Sequence, residues 1–181
     1  MTVLSPADCV ETYKAIEAMM CYDGPCYIRL TGVNGTPAVY KQDYEFEIGK
    51  AITMVQGDDI AIIATGTMVY ESMRAARALK KNNISATVIN MHTIKPLDTK
   101  ILDSLRTKYS LIVTVEEHFK IGGLGSAISE YYSQFSNKTP QLILGIDDVF
   151  IKAGDYNYML DKFNLTAPKI VEQILRKMEN K

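Results

Sequence analysis

Two hydrophobic periods alternate along this chain. Leu111, Ile112, Val113, Thr114 and Val115 form a short, nearly unbroken apolar run, and so do Ile60, Ala61, Ile62, Ile63 and Ala64. Runs of this kind belong to strands buried on both faces of a parallel sheet. Between them the period changes to that of a helix. Residues 68–81 carry Val69, Met73, Ala76 and Leu79 on one face and Arg74, Arg77, Lys80 and Lys81 elsewhere, and the cationic end suits a helix C-terminus. Strands are expected at 59–64, 85–90, 111–116 and 141–145. Helices are expected at 68–81, 98–108 and 155–163, from the glycines after residue 121 to about 135, and from Thr166 to Met178. The regular alternation predicts an α/β fold: a three-layer α/β/α arrangement with right-handed crossovers.

Gly57 and Asp58 lie between a candidate strand at 51–56 and the strand at 59–64. A two-residue turn of that composition predicts a hairpin, which adds one antiparallel edge strand to the sheet. Upstream, residues 1–5 read as a strand. Ser5 is the expected N-cap of a helix, with Pro6 at its first position and Asp8 reaching back. Val10, Tyr13, Ile16 and Met20 then follow a helical period to about Tyr22, where Asp23, Gly24 and Pro25 stop it. Residues 26–30 form the next strand, giving one βαβ unit. From Thr31 to about Phe46 the chain holds Gly32, Gly35 and Pro37 and then turns charged at Lys41, Asp43 and Glu45, the composition of a linker at a domain boundary.

Composition narrows the classes. The 181 residues are 47% hydrophobic and 23% charged with a net charge of −1, an ordinary globular balance without the basic footprint of a nucleic-acid or membrane-surface binder. No apolar run approaches the roughly 20 residues of a membrane span, and no signal-peptide pattern is expected at the N-terminus. Cys9, Cys21 and Cys26 are odd in number and lack C-x-x-C spacing. They read as reduced thiols and point to the cytoplasm.

Candidate chemistry gathers after the strand at 111–116. Gly122, Gly123 and Gly125 precede Ser126 at a helix start. Such a turn binds phosphate through its N–H groups in some folds, or lets the helix pack closely on the sheet. The spacing is not G-x-G-x-x-G, because the sixth position from Gly123 is Ile128, and no P-loop lysine accompanies it. Glu116, Glu117 and His118 are an acid/base or metal-ligand candidate set. Neighbouring carboxylates on an extended segment point to opposite sides, however, which disfavours a shared ion. Hydrogen bonding to the turn is the alternative. His92 also follows a strand, and two histidines alone are a weak metal signal. No nucleophile motif is present. Ligands of such sheets sit beyond the carboxyl ends of the strands. The crevice to examine is therefore the one bounded by Thr65, Gly66 and Thr67 and by Glu116, Glu117 and His118.

The combined motifs are more specific than any one of them. Ser5-Pro6-Ala7-Asp8, Gly24-Pro25 with Tyr27-Ile28-Arg29-Leu30, Ala64-Thr65-Gly66-Thr67, His92-Thr93-Ile94-Lys95-Pro96-Leu97-Asp98, and Val115-Glu116-Glu117-His118 with Gly122-Gly123-Leu124-Gly125-Ser126-Ala127 together resemble the C-terminal part of transketolase. The match is to the C-terminal subunit of the two-subunit enzymes, and 1-deoxyxylulose-5-phosphate synthase and the 2-oxo-acid dehydrogenase beta subunits share the domain. The resemblance implies that residues 1–40 are the C-terminal remnant of a pyrimidine-binding domain plus linker. Residues 41–181 would be the transketolase C-terminal domain, with a mixed five-stranded sheet holding one antiparallel strand. It implies a fragment, inactive alone, whose first 40 or so residues are poorly anchored or held in a non-native contact.

The same resemblance implies the chemistry of the complete enzyme. A two-carbon ketol unit passes between sugar phosphates on thiamine diphosphate with Mg²⁺. The cofactor is held between this kind of chain and an N-terminal diphosphate-binding subunit, and a homo-oligomer is expected. The catalytic glutamate and the cofactor and metal ligands would lie upstream. No catalytic, cofactor or metal residue is therefore assigned here, and this chain alone is expected to bind no cofactor. One substrate residue is implied: Arg29, on a strand that carries a phosphate-binding arginine in the family. Arginine suits this through its planar fork. In transketolases that arginine usually falls three residues later, where this chain has Gly32. In the deoxyxylulose synthases one also occurs at the position matching Arg29. By itself Arg29 reads as a strand residue paired with a carboxylate. Two other readings stay open: a 1-deoxyxylulose-5-phosphate synthase-like enzyme, and a module binding a regulatory anion or nucleotide in the crevice.

Overall fold

The computed structural model describes residues 1–32 and 35–179. Val33 and Asn34, inside the expected linker, lie outside the described residues. Two sheets organise the chain. The larger is built from β3 (Ile52–Val55), β4 (Ile60–Ala64), β5 (Ala86–Asn90), β7 (Leu111–Phe119) and β8 (Gln141–Ile146), in the order β3-β5-β4-β7-β8. β4, β5, β7 and β8 are parallel and β3 is antiparallel, so the mixed five-stranded sheet with one antiparallel strand is as expected. On one face, α2 (Met68–Leu79) and α6 (Ala167–Glu179) pack over Ile60, Ile62, Val88, Val113 and Val115. On the other, α3 (Thr99–Leu105) and α4 (Leu124–Ser133) pack over Ala61, Ile63, Ile89 and Ile112. The apolar runs are continuous because both of their faces are covered.

The hairpin is not formed. β3 pairs with β5, Ile52 opposite Asn90 and Thr53 opposite Ile89, and not with β4. Gly57 serves close approach instead: a Cβ there would lie 2.5 Å from the Ala86 carbonyl carbon. β7 also runs three residues further than expected, through Glu117, His118 and Phe119, with Phe119 opposite Ile146.

The smaller sheet has the order β2-β1-β6. β1 (Thr2–Leu4) and β2 (Cys26–Ile28) are parallel, joined by α1 (Cys9–Met20), as the βαβ reading requires. The cap of α1 differs from expectation. Asp8, not Ser5, is the N-cap, and its carboxylate accepts from Glu11 N at 2.8 Å. β6 (Thr93–Lys95) was not anticipated. It leaves the larger sheet after β5 and pairs antiparallel with β1.

Through that pairing the N-terminal unit is anchored, against the first of the two expectations for it, poor anchoring. Ser5 is clamped through its backbone on both sides: its N–H donates to the His92 carbonyl at 2.8 Å, and its carbonyl accepts from Gly66 N at 3.1 Å. The remaining short helix, α5 (Tyr156–Lys162), is capped by Asp155.

Candidate functional site

The strand order of the larger sheet reverses at β4, whose neighbours β5 and β7 are reached by crossovers in opposite directions. A crevice opens beyond the carboxyl ends of strands at such a reversal. Here it is a cavity of about 160 Å³, walled by Thr65 after β4, by Glu116, Glu117 and His118 of β7, by Gly122, Gly123 and Leu124, and by Ser5 and Arg29 of the N-terminal unit. The structure thus brings together the sequence candidates Arg29, Glu116 and His118. Gly66 and Thr67 form the adjoining rim. Gly66 adopts φ +59°, and a Cβ on it would lie 2.9 Å from Ser5 Oγ. The N-terminal unit is seated against the β4 turn.

Glu116 is buried and bonds within the chain. Its carboxylate accepts from Leu124 N at 2.7 Å and from Gly125 N at 2.8 Å, the first two amides of α4. Those amides are orphan donors at a helix start and attract anions. The glycine turn therefore holds the chain's own carboxylate in the place a phosphate would take. The glycines have the packing role. A Cβ on Gly123 would collide with the Glu116 carboxylate, and one on Gly125 would lie 2.5 Å from Ile143 Cγ2. Burial raises the Glu116 pKa, and the two amide bonds hold it partly down.

Glu117 points the other way, as alternation along a strand demands. Its Oε2 accepts from Thr67 Oγ1 at 2.6 Å and from the Tyr156 hydroxyl at 2.7 Å. Burial holds the Tyr156 phenol above its usual range. This contact ties α2, β7 and α5 together at one point. No local pattern announces it, because Tyr156 lies 39 residues from Glu117.

Arg29 extends across the crevice, and its Nη2 donates to the Glu117 carbonyl at 2.7 Å. It meets a backbone oxygen, not the carboxylate partner that its position on a strand suggested. His118 is half-exposed. Its Nδ1 donates to the Phe119 carbonyl at 2.9 Å and lies 4.0 Å from Glu116 Oε2. His92 has different surroundings. It is buried, stacked on Phe46 with ring centroids 4.2 Å apart, and bonded to Thr93 Oγ1 at 3.0 Å. Burial depresses its pKa to about 4, so the ring is neutral at ordinary pH.

The cavity does not fit thiamine diphosphate by itself. It falls below the roughly 300 Å³ at which small-molecule pockets begin, and the α4 amides that would bind a diphosphate already serve Glu116. Among the described residues, no three His, Cys, Asp or Glu side chains converge as a metal site.

A second polar cluster, at the junction of the two sheets, escaped sequence reasoning. Glu11 is wholly buried and accepts from Ala7 N, the Tyr40 hydroxyl and Asn90 Nδ2 at 2.6, 2.7 and 2.8 Å. The signal was present as Asp8-Cys9-Val10-Glu11, the spacing of a capping box.

Residues 49–170 match the family described as transketolase, C-terminal domain. The chain is 38% identical over 181 residues to a putative transketolase C-terminal section of Methanocaldococcus jannaschii, covering 99% of this chain and 56% of that protein. It is 39% identical over 173 residues to a 6-deoxy-6-sulfo-D-fructose transketolase subunit of a Clostridium species, covering 94% and 52%. A 1-deoxy-D-xylulose-5-phosphate synthase of a Cyanothece species is 35% identical, with 99% and 29% covered. Among solved structures, a split-gene transketolase described as an inactive beta4 tetramer superposes with a TM-score of 0.86 at 34% identity, covering 97% of this chain and 56% of that one. The chain thus spans about half the length of the first two relatives.

Proposed function

Since the chain belongs to the transketolase family through its C-terminal domain, we propose that it is the C-terminal section of a thiamine-diphosphate-dependent transketolase, pairing with an N-terminal diphosphate-binding section to move a two-carbon ketol unit between sugar phosphates. Residues 1–40 are then the last βαβ unit of a pyrimidine-binding domain with its linker, and residues 41–181 the C-terminal domain. One observation carries this reading. The smaller sheet is sealed on its inner side by β6, while β2 stands at its other edge and α1 turns Tyr13, Ile16 and Met20 outward. An unpaired edge beside an exposed apolar face calls for a covering partner.

The cofactor and its Mg²⁺ are held elsewhere in the assembly. Within this chain, Arg29 presents a guanidinium to the crevice for a substrate phosphate, and the partly buried bond to the Glu117 carbonyl orients it. The three free thiols suit a cytoplasmic enzyme.

Titration calorimetry tests the division of labour. Thiamine diphosphate with Mg²⁺ is expected not to bind the chain alone, and tight binding overturns the proposal. Mixing with an N-terminal transketolase section is expected to produce ketol transfer. In that assembly Arg29→Ala is expected to raise KM for phosphorylated substrates about tenfold or more, the scale of a lost charge-assisted bond. The second reading is a 1-deoxyxylulose-5-phosphate synthase-like enzyme. It is favoured by the likeness to a 1-deoxy-D-xylulose-5-phosphate synthase at 35% identity over nearly the whole of this chain. Analysis of the reaction product separates the two.

A further inference from the structure

The junction between the two sheets contains a titratable group that the proposed chemistry does not use. Glu11 is 0% exposed, and among the described residues no cation lies within ion-pair distance of it. Each of its three donors comes from a different piece of chain: Ala7 from the turn before α1, Tyr40 from the segment after β2, and Asn90 from the end of β5. The segment that supplies Tyr40 is a strap without regular structure, anchored to this junction at several points. Val39 N donates to Asp8 Oδ2 at 2.8 Å, Asp43 pairs with Lys14 at 2.7 Å, Tyr44 stacks on Tyr40 at 3.7 Å between centroids, and Phe46 stacks on His92.

We propose that closure of the strap formed by residues 39–46 is proton-linked through Glu11, which takes up a proton as the strap closes and releases it as the strap opens. A carboxylate sealed away from water without a countercharge is costly to keep ionised. Opening the strap removes Tyr40 and admits solvent, which restores an ordinary glutamate. The cluster also has somewhere to put the proton. The Tyr40 hydroxyl both donates to Glu11 and accepts from Asn90 Nδ2 at 2.7 Å, so it can reverse its role. Asn90 Oδ1 is buried with no partner among the described residues and is a free acceptor beside it.

The other charges facing Glu11 agree in sign. On α1, the Asp8 carboxylate one turn away adds repulsion, and Lys14 is engaged by Asp43 on the strap. Beyond β5, His92 is neutral down to about pH 4 and supplies no countercharge. Burial is the largest cause of the upward displacement of the Glu11 pKa, and the bonds from Tyr40, Ala7 and Asn90 oppose it. With the closed-state value raised, closure is favoured below the ordinary glutamate range. It weakens as pH climbs from that range to the Glu11 midpoint, and levels off above it.

Hydrogen exchange of amides 39–46 in the full chain on a His92→Leu background, taken as wild type at Glu11 and Tyr40 and free of the opposing titration of the ring under Phe46, reads the opening constant between pH 4 and 8 once divided by intrinsic rates. Wild type is expected to show opening that rises by up to about tenfold per pH unit and then levels, the slope of one proton. Glu11→Gln, permanently neutral, is expected to abolish that slope. Tyr40→Phe removes a donor that favours the carboxylate and is expected to move the levelling point to higher pH. A flat wild-type profile, or a Glu11→Gln profile with the wild-type slope, overturns the proposal. Should Glu11→Gln not fold, an unmoved levelling point in Tyr40→Phe overturns it as well.

Discussion

In the larger sheet, helices seal both faces, and the strands contribute mostly apolar side chains to either side. The N-terminal unit is assembled on opposite terms. α1 turns Glu11 and Ala15 inward, while Val10, Tyr13, Ile16 and Met20 are exposed. A helix of a free-standing domain buries its apolar stripe. Here the inner contact is made of directed polar bonds, and the apolar stripe is left outside. The difference teaches that one region supplies cohesion while the other supplies position and a face for contact. The smaller sheet borrows its fold from the larger through Ser5, Glu11 and Arg29, so the molecule should melt as one body in spite of having two sheets.

Core truncation is the strongest way to break that comparison. Ile62→Ala is expected to destabilise by about 2–5 kcal/mol, the range for buried aliphatic truncations. Far-UV circular dichroism and a thiol probe on the partly buried Cys26, with the exposed Cys9 and Cys21 replaced by serine, are expected to report one shared midpoint. A separate, earlier transition at Cys26 would show that the N-terminal unit folds on its own terms.

Acid acts on the junction next. The His92 pKa is depressed from 6.5 to about 4, so its neutral form contributes stability that is present above pH 6.5 and lost as pH falls towards 4. The loss is roughly 3 kcal/mol at about 1.4 kcal/mol per unit. His92→Leu is expected to flatten stability over that window in denaturant titrations at several pH values. An unchanged acid limb would place the sensitivity elsewhere.

Glu116→Ala leaves two buried amides of α4 without acceptors and is expected to cost about 1–3 kcal/mol. It should also raise affinity for inorganic phosphate at the glycine turn, readable by phosphorus NMR line broadening. The smallest effect lies on the outer face. Tyr13→Glu with Met20→Glu is expected to change the stability of the chain by less than about 0.5 kcal/mol, as exposed substitutions do, yet to prevent association with the N-terminal section in sedimentation runs. A large loss of stability would mean that α1 is part of the core after all.

Much of the larger sheet was legible because strands buried on two faces are written as unbroken apolar runs and their helices as amphipathic ones. The partner of β3 was not. Gly57 and Asp58 carry the composition of a hairpin turn, but the glycine is needed where the chain passes against the Ala86 backbone, and composition does not distinguish those uses. β6 is three residues long and ends beside Pro96, too short for any period to register. At the site, the crevice residues followed from strand ends alone. Their partners did not, since Arg29 meets a carbonyl and Glu117 meets a tyrosine from a distant helix. Only Glu11 left a local trace, in its three-residue spacing from Asp8.

The Glu116 cap changes how the crevice should be regarded by any anion in solution. A tethered carboxylate acts as a competitor at an effective concentration of the millimolar order or above, and it cannot be diluted, dialysed or exchanged away. Sulfate, phosphate and nucleotides at lower concentration meet a helix start that is already occupied. Ambient anions are then ignored at this helix start without any barrier being raised against them.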